Sequence, residues 1–387
     1  MTPITTTVAA ATVTTLFLLL TTTVTATTTT LSTDISALKA IKSSINPTTI
    51  PSYSCLASWN FTSDPCSNPH ITHFLCGLSC SNNRVTQLTF DRPGYSGTLS
   101  PLVSQLTQLI TLDLSDNKLS GPIPTSLFSL PNLITLDLRN NLFSGTIPPV
   151  ISNLKSIETL DISHNSISGS LPDTSNSLTL TRLDLSFNKF TGPIPKVAKN
   201  LMELAFKSNF LSGGVLKTSF SELTRLEVVE VSDNSLTGTI PGWFFLLPAL
   251  QQVNLANNGF TGIEILKPIE SDLVAVDVGY NKLVGYLSGN FTAYPMLSSL
   301  SLRYNKLQGP IPEEYTRTTT LRRLFLDGNY LNGMPPKEFF SGKSSVTGSL
   351  GDNCLKSCPT SSQLCLKSQK SSSICRQAYG GKVRQKL

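Results

Sequence analysis

Leu112-Asp113-Leu114-Ser115-Asp116-Asn117-Lys118-Leu119-Ser120-Gly121-Pro122-Ile123-Pro124 decides the fold, because the chain returns to this wording again and again. The asparagine recurs at Asn117, Asn141, Asn165, Asn188, Asn209, Asn234, Asn258, Asn281, Asn305 and Asn329. These positions span 212 residues in nine steps, a mean near 23.6. A degenerate unit precedes them (Leu88, Phe90, Tyr95, Gly97, Leu99), with Pro93 in the Asn place, which makes eleven repeats. In Leu-x-Leu the side chains alternate, so both leucines turn inward and the residue between them faces solvent. The Asn follows where the chain leaves the strand, and its amide can satisfy backbone groups that the turn would otherwise bury unpaired. Gly permits an unusual backbone angle or a close approach, and Ile-Pro adds a buried aliphatic and a fixed φ.

One such unit cannot bury its own apolar face, so units must stack, and stability becomes a nearest-neighbour sum whose two ends need covers. The period predicts an α/β repeat solenoid, a right-handed superhelix with a parallel concave β-sheet of about eleven strands. At about 4.8 Å per strand the sheet runs roughly 50 Å. A fixed period overrides the two or three domains that 387 residues would otherwise suggest. The step from Asn188 to Asn209 is 21 residues and the next is 25, with Lys196 to Asn200 and Gly213-Gly214-Val215 replacing the usual wording. That irregularity predicts a local bend.

The ends differ from the middle. All eight cysteines fall in two clusters, Cys55, Cys66, Cys76 and Cys80 before the repeats and Cys354, Cys358, Cys365 and Cys375 after them. An even count confined to both ends reads as disulfide-capped ends in an oxidising compartment. Ser32-Thr33-Asp34 offers N-cap oxygens, and Ile35, Leu38, Ile41 and Ile45 share one face, so residues 34–45 should form an amphipathic helix, with Trp59 as a further anchor of the cover. Residues 1–30 carry no charged side chain, Val8 to Leu20 is apolar, and Val24-Thr25-Ala26 fits a small-residue cleavage site. We read residues 1–26 as a signal peptide, 27–84 as an N-terminal cysteine cap, 85–336 as the repeats, and 337–387 as a C-terminal cysteine cap with a basic tail. An uncleaved N-terminal anchor is the alternative. No later stretch suits a membrane span, a lipid anchor or a kinase motif, so the mature chain is expected to be secreted to the apoplast or cell wall and monomeric when free. Asn60-Phe61-Thr62 and Asn290-Phe291-Thr292 are N-glycosylation acceptors for such a chain.

Ser58-Trp59-Asn60, Asp64-Pro65-Cys66, Gly77-Leu78-Ser79-Cys80 and the recurring Leu-Ser-Gly-x-Ile-Pro carry a resemblance. Over about residues 34–336 the chain resembles the plant extracellular leucine-rich-repeat class, which includes receptor-like proteins, receptor-kinase ectodomains and polygalacturonase-inhibiting proteins. In that class the N-terminal cap usually reads Trp-x-Gly-Val-x-Cys before its last cysteine; here Leu75 takes the Trp place and Cys76 is extra. The resemblance implies a Cys66–Cys80 bridge, which would leave Cys55 to Cys76, whereas the residues by themselves leave three pairings open. Cys66, His70, His73, Cys76 and Cys80 have spacing that could suit zinc, but secretion and the matching C-terminal set favour disulfides, so no metal or cofactor is expected.

Net charge is +6, and from Lys337 onward nine Lys/Arg stand against two Asp/Glu, so the basic excess belongs to the tail and does not argue for nucleic acid. The three histidines, His70, His73 and His164, form no Ser/His/Asp order, and no phosphate-cradling loop is present. Asp113, Asp137, Asp161, Asp184 and Asp277 occupy the outward slot of Leu-x-Leu, a column repeated by the fold and not a tuned acid pair, so no enzyme activity is expected. Binding is expected instead on outward strand positions. The N-terminal half of that face is acidic (Asp113, Asp116, Asp137, Glu158, Asp161, with His164), and the C-terminal half is aromatic and basic (Phe187, Lys207, Tyr280, Arg303, Tyr304, Arg322, Arg323, Phe325). Arg303 and Arg323 could grip a carboxylate or an acidic sugar. The resemblance implies an extracellular peptide, protein or glycan as partner, with a membrane receptor kinase transmitting a defence or developmental signal. The Arg-x-Arg pattern with which such receptors hold a peptide carboxylate is absent, since Arg322 and Arg323 are adjacent and should point apart. Two other roles fit the class: inhibition of a pectin-degrading enzyme through the acidic half, and a structural role in the wall through the basic tail.

Overall fold

The computed structural model describes residues 29–66, 77–341 and 344–380. Residues 1–26, His70, His73, Leu75, Cys76 and the last seven residues of the tail lie outside the described residues.

Among the described residues the concave sheet has thirteen strands. Gly77–Ser81 opens it antiparallel to Arg84–Thr89, and every later strand is added parallel and in register, Leu88 against Leu112, Leu112 against Leu136, Leu136 against Leu160. The segments after each Asn build a second, flanking sheet, with eight strands from Ser96–Gly97 to Gly259–Ile263 and four more from Val284–Tyr286 to Cys354–Leu355. Short 3-10 turns such as Thr125–Ser129 and Gly242–Leu246 close the convex side, each entered from a proline whose fixed φ suits the approach. Leu112, Leu114, Leu136 and Leu138 are fully buried between coils, and burying each contributes about 1.5–3 kcal/mol. On the convex side Phe220, Phe244, Phe245 and Phe291 pack edge to face across the coils of Asn209, Asn234 and Asn281, with centroids 5.4, 5.7 and 6.4 Å apart.

The asparagines stitch each coil to the one before it. Asn141 donates from Nδ2 to Leu114 O (2.9 Å) and Leu138 O (3.2 Å), while its Oδ1 accepts from Leu119 N (2.9 Å). Asn329 repeats this with Leu302 O (2.9 Å), Leu326 O (3.0 Å) and Leu307 N (3.0 Å), and is completely buried. The pattern continues one coil beyond the eleven repeats, because Asn353 donates to Leu326 O and Leu350 O and accepts from Leu331 N. This twelfth coil lies within residues 337–387, which the sequence alone assigns wholly to the cap. Gly348 hides it by standing in the first Leu position, and a Cβ there would lie 1.8 Å from Leu324 O, so no leucine can occupy it.

Both sheets continue through the irregular step, with Leu183 against Leu204 against Val229 and Gly192 against Leu211. The interruption of the flanking sheet falls later, after Gly259–Ile263, where a one-residue bulge sets Gly238 against Phe260 but Thr239 against Gly262.

The N-terminal helix is Ser32–Ser43, and its cap residue Leu31 makes no side-chain cap bond. Asp34 does not cap it. Asp34 is buried in the first turn, where Arg84 grips it through Nε and Nη2 at 3.0 Å each and Val85 N donates to it at 2.9 Å, so the carboxylate docks the helix on the first coil. Ala37, Leu38, Ile41 and Ile45 cover the core end, and Trp59 packs edge-on to Phe61 and Phe90. Disulfides join Cys66 to Cys80, Cys354 to Cys375 and Cys358 to Cys365, and Cys55 is also disulfide-bonded.

Replacing Asn329 by Ala would leave Leu307 N–H buried without its acceptor, at about 1–3 kcal/mol, and would remove one of the two amide donors that serve Leu302 C=O and Leu326 C=O. Urea unfolding of Asn329→Ala is expected to show a loss of about 2–5 kcal/mol, while Leu142→Ala on the exposed flank stays within about 0.5 kcal/mol. Equal stabilities for the two variants would refute the ladder's role.

Candidate functional site

Parallel register makes rows of the outward residues. Asp113, Asp137, Asp161 and Asp184 stand side by side on consecutive strands. Each uses Oδ1 to accept the backbone N–H two residues on, from Ser115 (3.0 Å), Arg139 (3.1 Å), Ser163 (3.0 Å) and Ser186 (2.9 Å). Glu230, Asn254 and Asp277 do the same further along the row. The acid column therefore recurs because the turn needs an acceptor there. Arg139 reaches back with Nη1 to Asp137 (2.9 Å) and Asp161 (3.8 Å). Burial, with Asp113 and Asp161 adding repulsion, pushes the Asp137 carboxyl up to about 6, and burial also raises Asp184.

The residue before each ladder Asn is left-handed, and several of the non-glycine residues there are large: His164 (φ 53°), Phe187 (φ 54°), Tyr280 (φ 54°) and Tyr304 (φ 50°). Bulky side chains in this region cost about 1–2 kcal/mol each. Identical backbone states one strand spacing apart make neighbouring side chains stack. The His164 and Phe187 rings are 4.1 Å apart, and those of Tyr280 and Tyr304 4.7 Å, each pair within 16° of parallel. Asn140 and Asn257 instead donate to Asp116 (2.8 Å) and Asp233 (2.6 Å) in the preceding coil.

Between these groups the concave face sinks into a trough of 280 Å³. Its floor is short side chains, Ala275, Ser299 and Ser301. Glu230, Asn254 and Asp277 supply polar atoms, and Arg303 with Phe325 forms the C-terminal wall. The structure thus brings Arg303 and Phe325 together, with the Tyr280–Tyr304 stack beside Arg303 in sequence, and leaves Phe187, Lys207 and the N-terminal acids Asp113, Asp137 and Asp161 outside the trough. Arg303 lies over the Phe325 ring at 4.2 Å and 3.5 Å from Asp327. Arg323 is exposed, aligned with Ser299, four residues along the strand direction from the Arg303 position. Arg322, also exposed, donates to Ser345 Oγ. Lys207 pairs with Asp233 at 3.7 Å.

Two residues that sequence reasoning passes over hold this end together. Asp327 is almost wholly buried and takes Lys367 at 2.9 Å as well as Arg303. Lys367 comes from the C-terminal cap and also donates to Tyr304 Oη (2.9 Å), and hydrogen bonds to Tyr304 and Asp327 hold its ammonium above the usual lysine range. Asp327 was detectable as an acid two residues before the ladder Asn, where other coils carry Ser, Arg, Lys, Ala or Gly; Lys367 left no signal in the repeat. Among the described residues no group of His, Cys, Asp and Glu could hold a metal, and no helix is long and apolar enough to cross a membrane.

The family model described as "Leucine rich repeat N-terminal domain" matches residues 31–72, and leucine-rich-repeat models match 108–130, 132–154, 156–178, 179–201 and 199–260. "Receptor like protein 27" of Arabidopsis thaliana is 38% identical over 79 residues, 19% of this chain and 10% of that protein. Among solved structures, the plant peptide hormone receptor RGFR1 in complex with RGF2 superposes with a TM-score of 0.59 and 27% identity, covering 71% of this chain and 49% of that one. The ectodomain of the plant membrane receptor kinase GASSHO1/SCHENGEN3 from Arabidopsis thaliana, in complex with CASPARIAN STRIP INTEGRITY FACTOR 2, gives a TM-score of 0.65 and 26% identity over 88% of this chain and 47% of that one. The chain thus spans a tenth of the receptor-like protein and about half of each ectodomain.

Two predictions follow from this geometry. Folded Asp137 holds its proton to about pH 6 but releases it near 3.8 when unfolded, so its contribution to stability falls as pH rises between those values. Asp137→Asn keeps the acceptor for Arg139 N–H, and its stability relative to wild type should rise by on the order of 1–3 kcal/mol from pH 4 to pH 7 in urea titrations; a pH-independent difference would refute the assignment. The two glycan acceptors also differ. Asn60 is exposed and its Oδ1 accepts from Thr62 N and Oγ1, whereas Nδ2 of Asn290 donates to Ile265 O at 2.8 Å. Glycopeptide mass spectrometry of the secreted protein is expected to find glycan at Asn60 and little at Asn290, and the reverse pattern would contradict this reading.

Proposed function

The chain belongs to the plant extracellular leucine-rich-repeat family, and from that premise we propose that it is a recognition protein holding an extracellular peptide in the concave trough, with a membrane receptor kinase as the partner that transmits the signal. The observation that carries this reading is the trough itself. A floor of Ala275, Ser299 and Ser301 leaves room for a backbone, Glu230, Asn254 and Asp277 line the floor with polar atoms, and Phe325 with Arg303 ends it with an aromatic and a cation. Interfaces concentrate their energy on such aromatic and Arg anchors. The neighbour described as a peptide hormone receptor shares the fold over most of this chain, which favours a peptide over a glycan here. The strained, stacked Tyr280 and Tyr304 would flank the bound chain, since large residues held at positive φ tend to mark functional positions.

Arg303 already faces Asp327 and Phe325, so it acts as a wall and leaves exposed Arg323 as the cation for a ligand carboxylate. The outward carboxylates are tied to backbone turns, which suits a binding surface and not a tuned acid–base pair.

The test is capture of peptides from plant extracellular fluid by the tagged secreted protein, then affinity measurement. Ser299→Trp, which fills the trough floor, and Phe325→Ala, which removes its wall, are each expected to weaken binding at least tenfold with little change in thermal midpoint. A captured peptide that binds both variants at wild-type strength would locate recognition elsewhere, and inhibition of a purified polygalacturonase by the protein would favour the inhibitor role.

A further inference from the structure

Outside the concave face, a groove of 730 Å³ lies between the flanking strands Val284–Tyr286, Lys306–Gly309 and Tyr330–Gly333 and the C-terminal helix Ser372–Gly380. The helix is fixed against the sheet. Cys375 is bonded to Cys354, Gln308 Nε2 donates to Ala378 O at 3.3 Å, and the Tyr379 hydroxyl donates to Tyr330 O and accepts from Gly309 N. Both walls are therefore preformed.

The lining has a consistent chemistry. Tyr286 is 79% exposed, an unusual state for a tyrosine on a sheet. One edge of its ring sits against Gly309, where an added Cβ would come within 2.5 Å of Cδ1 and 2.9 Å of Cε1, so glycine at φ +83° makes room for the ring. Tyr330 and Ile374 add apolar surface, Gln308 and Gln377 add amides that both donate and accept, Lys306 adds a positive charge, and among the described residues no carboxylate lines the groove. Flat aromatic surface suits the C–H face of a pyranose ring, amides suit paired hydroxyls, and an ammonium suits an anionic substituent.

We propose that this groove binds a short acidic oligosaccharide, one whose sugar rings bear carboxylates. One ring stacks on Tyr286, its hydroxyls bond to Gln308 and Gln377, and a carboxylate meets Lys306. The site is separate from the concave trough and does not depend on peptide recognition there.

Calorimetric titration of the full secreted protein with trigalacturonate, and with maltotriose as a neutral trisaccharide of the same length, tests this. The acidic trisaccharide is expected to bind at least tenfold more tightly. Tyr286→Ala should weaken it at least tenfold, and Lys306→Gln should cut the preference over maltotriose below threefold; both side chains are exposed, and unchanged unfolding midpoints would verify the fold. Absence of trigalacturonate binding at millimolar concentration overturns the proposal. Equal binding of maltotriose overturns its acidic specificity. Binding that survives Tyr286→Ala but disappears when residues 381–387 are removed assigns the interaction to the basic tail and overturns the groove as its site.

Discussion

The side-chain amide of the ladder asparagine is the interaction on which the rest depends. A coil that leaves a strand and turns toward the convex side exposes carbonyls and N–H groups that no strand partner can reach, and they lie where water is excluded. One amide serves them in both directions, donating to carbonyls of its own coil and the preceding one and accepting an N–H from the preceding one. Leucine burial supplies the larger free energy but no register, since apolar contact is non-directional. The asparagine supplies the register. Residues equivalent in sequence therefore become neighbours in space, and the face can be read as rows.

The same constraint shapes the candidate site. Bringing the Asn side chain into position requires the preceding residue to be left-handed, and the chain meets this with Asp, Asn, Ser or Gly at most coils and with His, Phe or Tyr at four. At those four the strain is offset partly by stacking, because equal conformations repeated at strand spacing bring rings to 4.1 and 4.7 Å. The outward acids have a similar origin: each closes a turn through one oxygen and presents what remains to the concave side. Much of the surface chemistry is thus a by-product of coil closure. The departures from that pattern, such as Ala275, Ser299, Ser301 and Phe325 in the trough, carry the functional argument.

Period and alternation made the solenoid, the concave sheet's strand positions and the buried leucines legible in the sequence, because each coil repeats a local rule, while the flanking sheet went unread. The twelfth coil was not legible, since Gly348 replaces the leucine that marks a strand and only Leu350, Asn353 and Leu355 remain of the wording. Asp34 reads as a cap by its position, yet Arg84, fifty residues away, claims it. Sequence put Arg303, Phe325, Tyr280 and Tyr304 on one face as a candidate group, and the structure packs Arg303 on Phe325 and Tyr280 on Tyr304. It did not reveal that Arg303 faces Asp327, nor that Phe187 and Lys207 stand apart from the trough, because these depend on which coil follows which and on a lysine delivered by the cap.

That lysine changes what the C-terminal cap is for. A stack without a central core must be closed at its ends, and apolar cover with disulfides would suffice for that. Here Lys367 also crosses to Asp327 and Tyr304, so the cap reaches the wall of the trough through two hydrogen bonds of 2.9 Å. Asp327 is almost fully buried and stands between Arg303 and Lys367, a carboxylate whose charge both cations compensate. The position of Arg303, and with it the closed end of the trough, is therefore set jointly by a repeat and by the cap. The same cap carries the helix that walls the flanking groove, pinned by Cys354–Cys375. In a molecule whose coils communicate only with their neighbours, the C-terminal cap is the element that touches both candidate surfaces at once.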